Sequence, residues 1–247
     1  MSAIKGEHDQ FFNGPLTSGL PSIVAAAHEL KSPLSLVRQL SLMLENNDLS
    51  LDEQKRMLHQ ISLTSEKALR LTSDLTRASR LSDAMFNLEP INPQQLCEDI
   101  VRELRPLFTA HNRNLELVSR KHPLLLIANR DLLRRIIMNF SDNALNYAEG
   151  DSVIKIKVGA LKSGQIIRLS VRDFGPALPA DTLKVLRNNL ANKSLSPVHA
   201  RPQSSGLGIY IASQFADAMN GQIGVIKHRD GASFYIDLHS SQQLSLL

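Results

Sequence analysis

From Ile23 onward, apolar and small residues return at alternating steps of four and three: Ile23, Ala27, Leu30, Leu34, Val37, Ser41 and Leu44. That period marks a helix packed along a narrow seam. Pro33 falls inside the run, yet the phase holds on both sides of it, and a break would normally reset the register. An alternative takes Ser32 as an N-cap and Pro33 as the first helical residue. It leaves "SIVAAAHEL", already in phase upstream, unexplained, so a continuous helix bent at Pro33 is expected. The polar turn "NNDLS" closes the pattern, and Ser50 with Glu53 three residues on forms a capping box. A second seam follows through Met57, Ile61, Thr64, Ala68, Leu71, Leu75, Ala78, Ser82 and Met85. The two arms, of ~25 to 35 residues and ~40 to 50 Å, make a helical hairpin over residues 21–88. Two helices alone bury too little to be stable. The hairpin is therefore expected to pair with a second copy as a four-helix bundle, giving a homodimer through residues 21–88.

Past "NLEPINP" the period changes. "PQQLCEDIVRELRPLFTAH" and "RDLLRRIIMNFSDNALNYA" read as amphipathic helices, "NLELVS" and "LLLIA" as strands. "SVIKIKVGAL" and "QIIRLSVRD" alternate apolar and polar residues around "KSG", and "GQIGVIKH" and "ASFYIDL" do so around "RDG", two hairpins. Helices mixed with a mainly antiparallel sheet imply an α+β sandwich over residues 89–240. Residues 1–20 carry Gly and Pro without periodicity and read as a tail or linker, with a further tail at 241–247.

Composition narrows the class. No apolar run approaches the ~18 residues a membrane span needs, and the N-terminus lacks the apolar stretch of a secretory signal. Cys97 is the only cysteine, so no internal disulfide forms and a reducing compartment fits. A cytoplasmic location is expected, either free or as the soluble part of a longer membrane-bound sensor. The net charge of +4 is spread along the chain and there is no Trp, which argues against a nucleic-acid partner.

Three short motifs carry candidate chemistry. Asn139 and Asn143 stand four apart and share a helix face, offering neutral oxygens to Mg²⁺ and amide donors to phosphate. Asp173, then Gly175, follow a strand in "VRDFGPALP". Gly206 and Gly208 in "SSGLGIYIASQFADAM" open a helix, where free N–H groups favour an anion. Each alone is weak: a solvated polar stripe or a flexible turn would produce the same residues.

Their order is specific. "NxxxNA", "DxG" and "GLG", in helix, post-strand and pre-helix contexts, resemble the N, G1 and G2 boxes of sensor histidine kinases. These belong to the Bergerat ATP-binding fold shared with gyrase B, the heat-shock chaperone ATPase and mismatch-repair ATPases. "HELKSP" resembles the H box of the same kinases and lies in the hairpin ahead of the ATPase region, where they carry it. The resemblance implies ATP and Mg²⁺ as cofactors, Asn143 as metal ligand and Asn139 beside it on the phosphate side. It implies Tyr147 packed on the adenine, Asp173 accepting from its exocyclic amine, Gly175 passing close to the base, and Gly206 and Gly208 bordering the triphosphate. Residues 184–203 would form a lid.

On the same resemblance His28 is the phosphoacceptor, Glu29 its general base, and Ser32 the residue that orients a water to hydrolyse phosphohistidine. His28, Ser32, Ser35 and Gln39 form a polar stripe off the seam, so an exposed imidazole is expected. The implied function is ATP-dependent autophosphorylation of a histidine, then transfer to an aspartate on the receiver domain of a response regulator, with phosphatase activity in reverse. Several positions depart from the family pattern: Ser32 stands where Thr or Asn is more frequent, Asn146 where Lys is common, Ala177 where a second Gly is usual, and Ser204 where a Gly often begins the G2 box. Lys193 or Arg201 in the lid are candidates for the missing cation. A degenerate kinase acting as phosphatase or scaffold, and another Bergerat ATPase or serine kinase, stay open as alternatives.

Overall fold

The computed structural model describes residues 20–45, 49–81, 86–119, 124–149, 152–191 and 207–241. Helix α1 (Leu20–Leu44) runs without interruption through Pro33, so Ser32 is not a cap. The proline lacks an N–H, which leaves the Glu29 carbonyl without its usual helical partner one turn upstream. Helix α2 (Leu51–Ser79) starts on the expected capping box: Ser50 Oγ accepts from Glu53 N–H at 3.3 Å, and Ser50 N–H donates to Glu53 Oε2 at 2.9 Å. Ser82 and Met85, placed on its seam by the sequence, lie outside the described residues. Within one chain the expected seam on α1 is partly covered: Leu30, Val37 and Leu44 are half-buried, while Leu34 is 59% exposed and Ala27 and Ser41 are also exposed. Leu40, off that seam, is buried. Apolar side chains divide between a face turned to α2 and a face turned to solvent.

The second region holds β1 (Glu89–Ile91), α3 (Pro93–Ala110), β2 (Asn114–Ser119), β3 (Leu126–Ala128), α4 (Arg130–Tyr147), β4 (Val153–Leu161), β5 (Ile166–Arg172), α5 (Ala180–Ala191), α6 (Leu207–Ala218), β6 (Gln222–His228) and β7 (Gly231–His239). Strand order in the main sheet is β2-β4-β5-β7-β6, and β1 pairs with β3 apart from it. All neighbours in the main sheet are antiparallel except β2 and β4, which run parallel. That exception follows from the connection: β3 and α4 intervene, giving a crossover rather than a hairpin. Helices α3 and α4 begin on side-chain caps from Asn92 and Asn129.

On β7 the residues Phe234, Ile236 and Leu238 are buried, alternating with the half-buried Tyr235 and Asp237. The covering helices contribute Phe108, Phe140 and Phe215, all fully enclosed, and Phe140 meets Phe234 with ring centroids 5.8 Å apart. Each such aromatic stabilises the sandwich by roughly 2–3 kcal/mol. Across the sheet's other face, Arg168 makes a bidentate pair with Asp237 at 2.6 and 2.7 Å. Its guanidinium lies over the Tyr235 ring, 3.7 Å from the centroid. The result is a helical hairpin followed by an α/β sandwich, as expected. Among the described residues no helix is long and apolar enough to cross a membrane.

Helix α2 packs against α6 and reaches α4 through long side chains. Arg135 on α4 reaches Asp74 on α2 at 3.0 Å, and Arg77 on α2 reaches Asp131 on α4 at 3.3 Å. Asp74 is only 4% exposed. Burial, opposed in part by Arg135, Arg77 and Arg70, pushes its carboxyl up to about 6 from 3.8. A raised folded-state value means that the folded chain holds this proton more tightly. Its contribution is complete below the unfolded value and is lost as pH rises through the folded one. Relative to Asp74→Asn, the wild-type melting temperature is therefore expected to fall between pH 4 and 6 and to stay level above. The free-energy span is at most about 3 kcal/mol. Parallel melting curves for the two proteins over that range would contradict this placement of Asp74.

Candidate functional site

Helix α4 buries Leu132, Leu133, Ile136, Ile137, Phe140 and Ala144 in the sandwich. The same 3.6-residue period turns Asn139, Asn143 and Tyr147 toward a cavity of about 320 Å³. The far wall comes from the hairpin: Glu29, Ser32, Pro33 and Leu36 of α1, with Lys67, Arg70 and Asp74 of α2. Gly208, in the first turn of α6, lines it as well. One cavity thus joins residues of the H, N and G2 motifs. His28 is exposed, as are Ser32, Ser35 and Gln39, but His28 does not line the cavity. It sits four residues before Ser32, about 40° round the same helix face.

Asn139 is half-buried, and its Nδ2 is enclosed without a hydrogen-bond partner. An amide donor left unpaired inside a protein costs about 1–3 kcal/mol, so the arrangement suits an acceptor such as a phosphate oxygen. Asn143, one turn on, brings a neutral side-chain oxygen of the kind Mg²⁺ takes. Asp142 lies between them and is half-buried. Burial raises its carboxyl above the usual range, against the pull of Lys67, Arg70 and His111. The residues fit a metal-bound polyphosphate. Among the described residues no cluster of His, Cys, Asp or Glu could itself cage a metal ion.

Asp173 follows directly on β5 and is buried. Its N–H donates to the Ala232 carbonyl at 2.9 Å, and its Oδ1 accepts the Ala232 N–H at 2.8 Å. This reciprocal pair fixes the carboxylate against the start of β7. Arg172 donates to the Asp173 carbonyl, pairs with Asp230 at 2.6 Å and rests its guanidinium 4.3 Å from the Phe174 ring centroid. Glu149 N–H donates to the Phe174 carbonyl at 2.9 Å, tying the end of α4, and with it Tyr147, to this loop. Gly175 lies in the bend that follows. Ala177 is not at positive φ, so its Cβ is tolerated where the family usually has glycine.

Gly208 shows a different kind of glycine. A Cβ there would meet nothing within 4 Å, so the chain's own packing does not require its absence. Gly206, Lys193, Arg201, Ser204 and the lid beyond Ala191 lie outside the described residues. Sequence reasoning missed Asp74, Arg135, Lys67, Arg70 and the Gly231–Ala232 contact. The α2 residues recur as a charged stripe, which in a lone helix reads as a solvated face.

Residues 128–242 match the family of histidine kinase-, DNA gyrase B- and HSP90-like ATPases. The chain is 27% identical over 223 residues to the sensor histidine kinase GacS of Pseudomonas protegens, covering 86% of this chain and 24% of that protein. It is 26% identical over 231 residues to the adaptive-response sensory kinase SasA of Synechocystis, covering 86% and 57%. The fold is similar to that of full-length ShkA crystallised with AMPPNP, with a TM-score of 0.61, 22% identity, and 94% and 47% of the two chains covered. It is similar also to that of histidine kinase ThkA in complex with the response regulator TrrA, with a TM-score of 0.61, 17% identity, and 92% and 63% covered. The chain therefore spans less than two thirds of these relatives.

The Asp173 contact yields a test. Gly231 has φ +131°, and a Cβ there would lie 2.5 Å from both the Asp173 carbonyl oxygen and Oδ1. Gly231→Ala is expected to cost roughly 2–4 kcal/mol of stability and to weaken adenine-nucleotide binding by more than tenfold, read by calorimetric titration. Wild-type affinity in that variant would show that Asp173 does not need this support.

Proposed function

We propose that this chain, similar over most of its length to sensor histidine kinases and matching their ATPase family behind a helical hairpin, acts as one: His28 takes the γ-phosphoryl group of ATP and passes it to an aspartate on a response regulator. The observation that supports this most is the single cavity lined by Glu29 and Ser32 on one side and Asn139 and Asn143 on the other. A ring nitrogen of neutral His28 attacks the γ-phosphorus in line with the bond to the β-bridging oxygen. That bond breaks, ADP leaves with its electron pair, and the other ring nitrogen gives its proton to Glu29. Asn143 would hold Mg²⁺ through its side-chain oxygen, where the ion supplies charge neutralisation for the triphosphate. Asn139 donates to a phosphate oxygen.

Asp173 accepts from the exocyclic amine of adenine, and a guanine carbonyl at that point would be repelled. Gly175 and Tyr147 flank the base, and Gly206 and Gly208 the phosphates. Transfer to the receiver aspartate leaves His28 free again, and Ser32 orients a water that hydrolyses phosphohistidine to histidine and inorganic phosphate. His28 is exposed, so a receiver domain can reach it.

Residues 21–88 act as the dimerising phosphotransfer hairpin and 89–240 as the catalytic domain. The hairpin leaves Leu34, Leu58 and Leu69 at 59%, 57% and 71% exposed, apolar surface that a second copy would cover in a four-helix bundle. Because ATP is the phosphoryl donor, the chain works in the cytoplasm, alone or as part of a longer sensor. A second reading, a weakened kinase serving as phosphatase or scaffold, has one observation in its favour: Asn146 brings no positive charge to the cavity it lines.

Incubation with γ-labelled ATP and Mg²⁺ separates the two. Kinase activity gives an acid-labile, alkali-stable label that His28→Ala abolishes. Label absent from wild type, with dephosphorylation of a phosphorylated regulator intact, would select the second reading. Acid-stable label would point to a serine kinase instead.

A further inference from the structure

We propose that Lys67 and Arg70, both carried by the hairpin helix α2, hold the terminal phosphates of ATP, so that the nucleotide site is a composite of hairpin and ATPase region. The identity of the anion rests on the kinase reading above; the geometry does not.

Both side chains line the cavity that Asn139, Asn143 and Gly208 enter from the other side. Both are half-buried. Among the described residues neither makes an ion pair, although the cations around them do: Arg77 with Asp131, Arg135 with Asp74, and Arg134 with Glu103. Both act electrostatically on Asp142, the residue before Asn143, which brings their charge to the asparagines.

The described lining of the cavity carries the carboxylates Glu29, Asp74 and Asp142 and the cations Lys67, Arg70 and Arg135, with His111 beside them. A triphosphate brings about four negative charges. The part of α4 that faces it supplies Asn139, Asp142, Asn143 and Asn146, none of them a cation. Arg135, on the same helix, is engaged by Asp74. Among the described lining residues, the remaining positive groups are Lys67, Arg70 and, when protonated, His111. Neither Lys67 nor Arg70 is held in a side-chain ion pair among the described residues, so both can turn toward a phosphate. An arginine fork and a flexible ammonium are the groups that grip phosphate oxygens. Because these cations reside on α2, ATP and the docking of the hairpin strengthen one another by linkage.

The test measures binding alone, with the full chain, Mg²⁺ and a fluorescent adenine nucleotide displaced by ATP, ADP or AMP. The double variant Lys67→Gln, Arg70→Gln is expected to weaken ATP by about tenfold or more, ADP by less, and AMP not at all. The swapped variant Lys67→Arg, Arg70→Lys should retain most of the ATP affinity. Circular dichroism and melting temperature verify that both variants fold. Unchanged ATP affinity in the double variant overturns this proposal alone. So does equal weakening of ATP, ADP and AMP, which would mark a structural role. Wild-type protein that binds no adenine nucleotide would overturn the kinase reading as well.

Discussion

The buried contact between Asp74 and Arg135 joins the two regions of this chain. It links helix α2 of the hairpin to helix α4 of the sandwich at 3.0 Å, with the carboxylate almost wholly out of water. A pair like this contributes little net stability, because desolvating both charges offsets most of their attraction. What it supplies is register. With Asp74 opposite Arg135, the stripe of α2 that carries Lys67 and Arg70 faces the stripe of α4 that carries Asn139 and Asn143. Glu29 and Ser32 on α1 then close the same cavity. Losing Arg135 would leave the buried Asp74 carboxylate to the weaker pull of Arg77 and Arg70, so the ion pair favours this docked arrangement over others.

On the proposed reading, the two ends of the nucleotide site are built differently. The base end is fixed: Asp173 is held by two backbone hydrogen bonds to Ala232, pressed on by a Gly231 that tolerates no side chain, and tied through Phe174 to the end of α4. On that reading the phosphate end is assembled from separate elements: the unpartnered Asn139 Nδ2, open space where a Cβ on Gly208 would stand, and Lys67 and Arg70 of α2, which form no side-chain ion pair among the described residues. Recognition of adenine needs a rigid frame, because it discriminates by hydrogen-bond pattern. The proposed phosphoryl transfer needs the histidine to come and go; His28 is exposed and does not line the cavity, and the next turn of α1 carries Pro33.

What was legible in the sequence was local. The capping box at Ser50 and Glu53, the passage of α1 through Pro33, and both hairpins of the sheet follow from spacings of a few residues. Four motifs in order were enough to indicate the site. Long-range contacts were not legible. The parallel pairing of β2 with β4 depends on a crossover, and the partners Asp74 and Arg135 are 61 residues apart with no local signature. Which apolar stripe of α1 is covered was not legible for a related reason: Leu34 matches the helical period, but covering depends on the partner, and within one chain Leu40 is buried while Leu34 is exposed. Lys67 and Arg70 escaped notice because a charged stripe has meaning only once the helix facing it is known.

The central claim is that the hairpin and the ATPase region form one site around the nucleotide, and a distance-sensitive measurement tests it most directly. With Mn²⁺ in place of Mg²⁺ and a non-hydrolysable ATP analogue, paramagnetic broadening of histidine ring resonances reports which imidazoles lie near the bound metal. The account predicts that His28 broadens together with the backbone amide of Asn143, while His239, at the opposite end of the sheet, keeps its intensity. Broadening at Asn143 with none at His28 would contradict it.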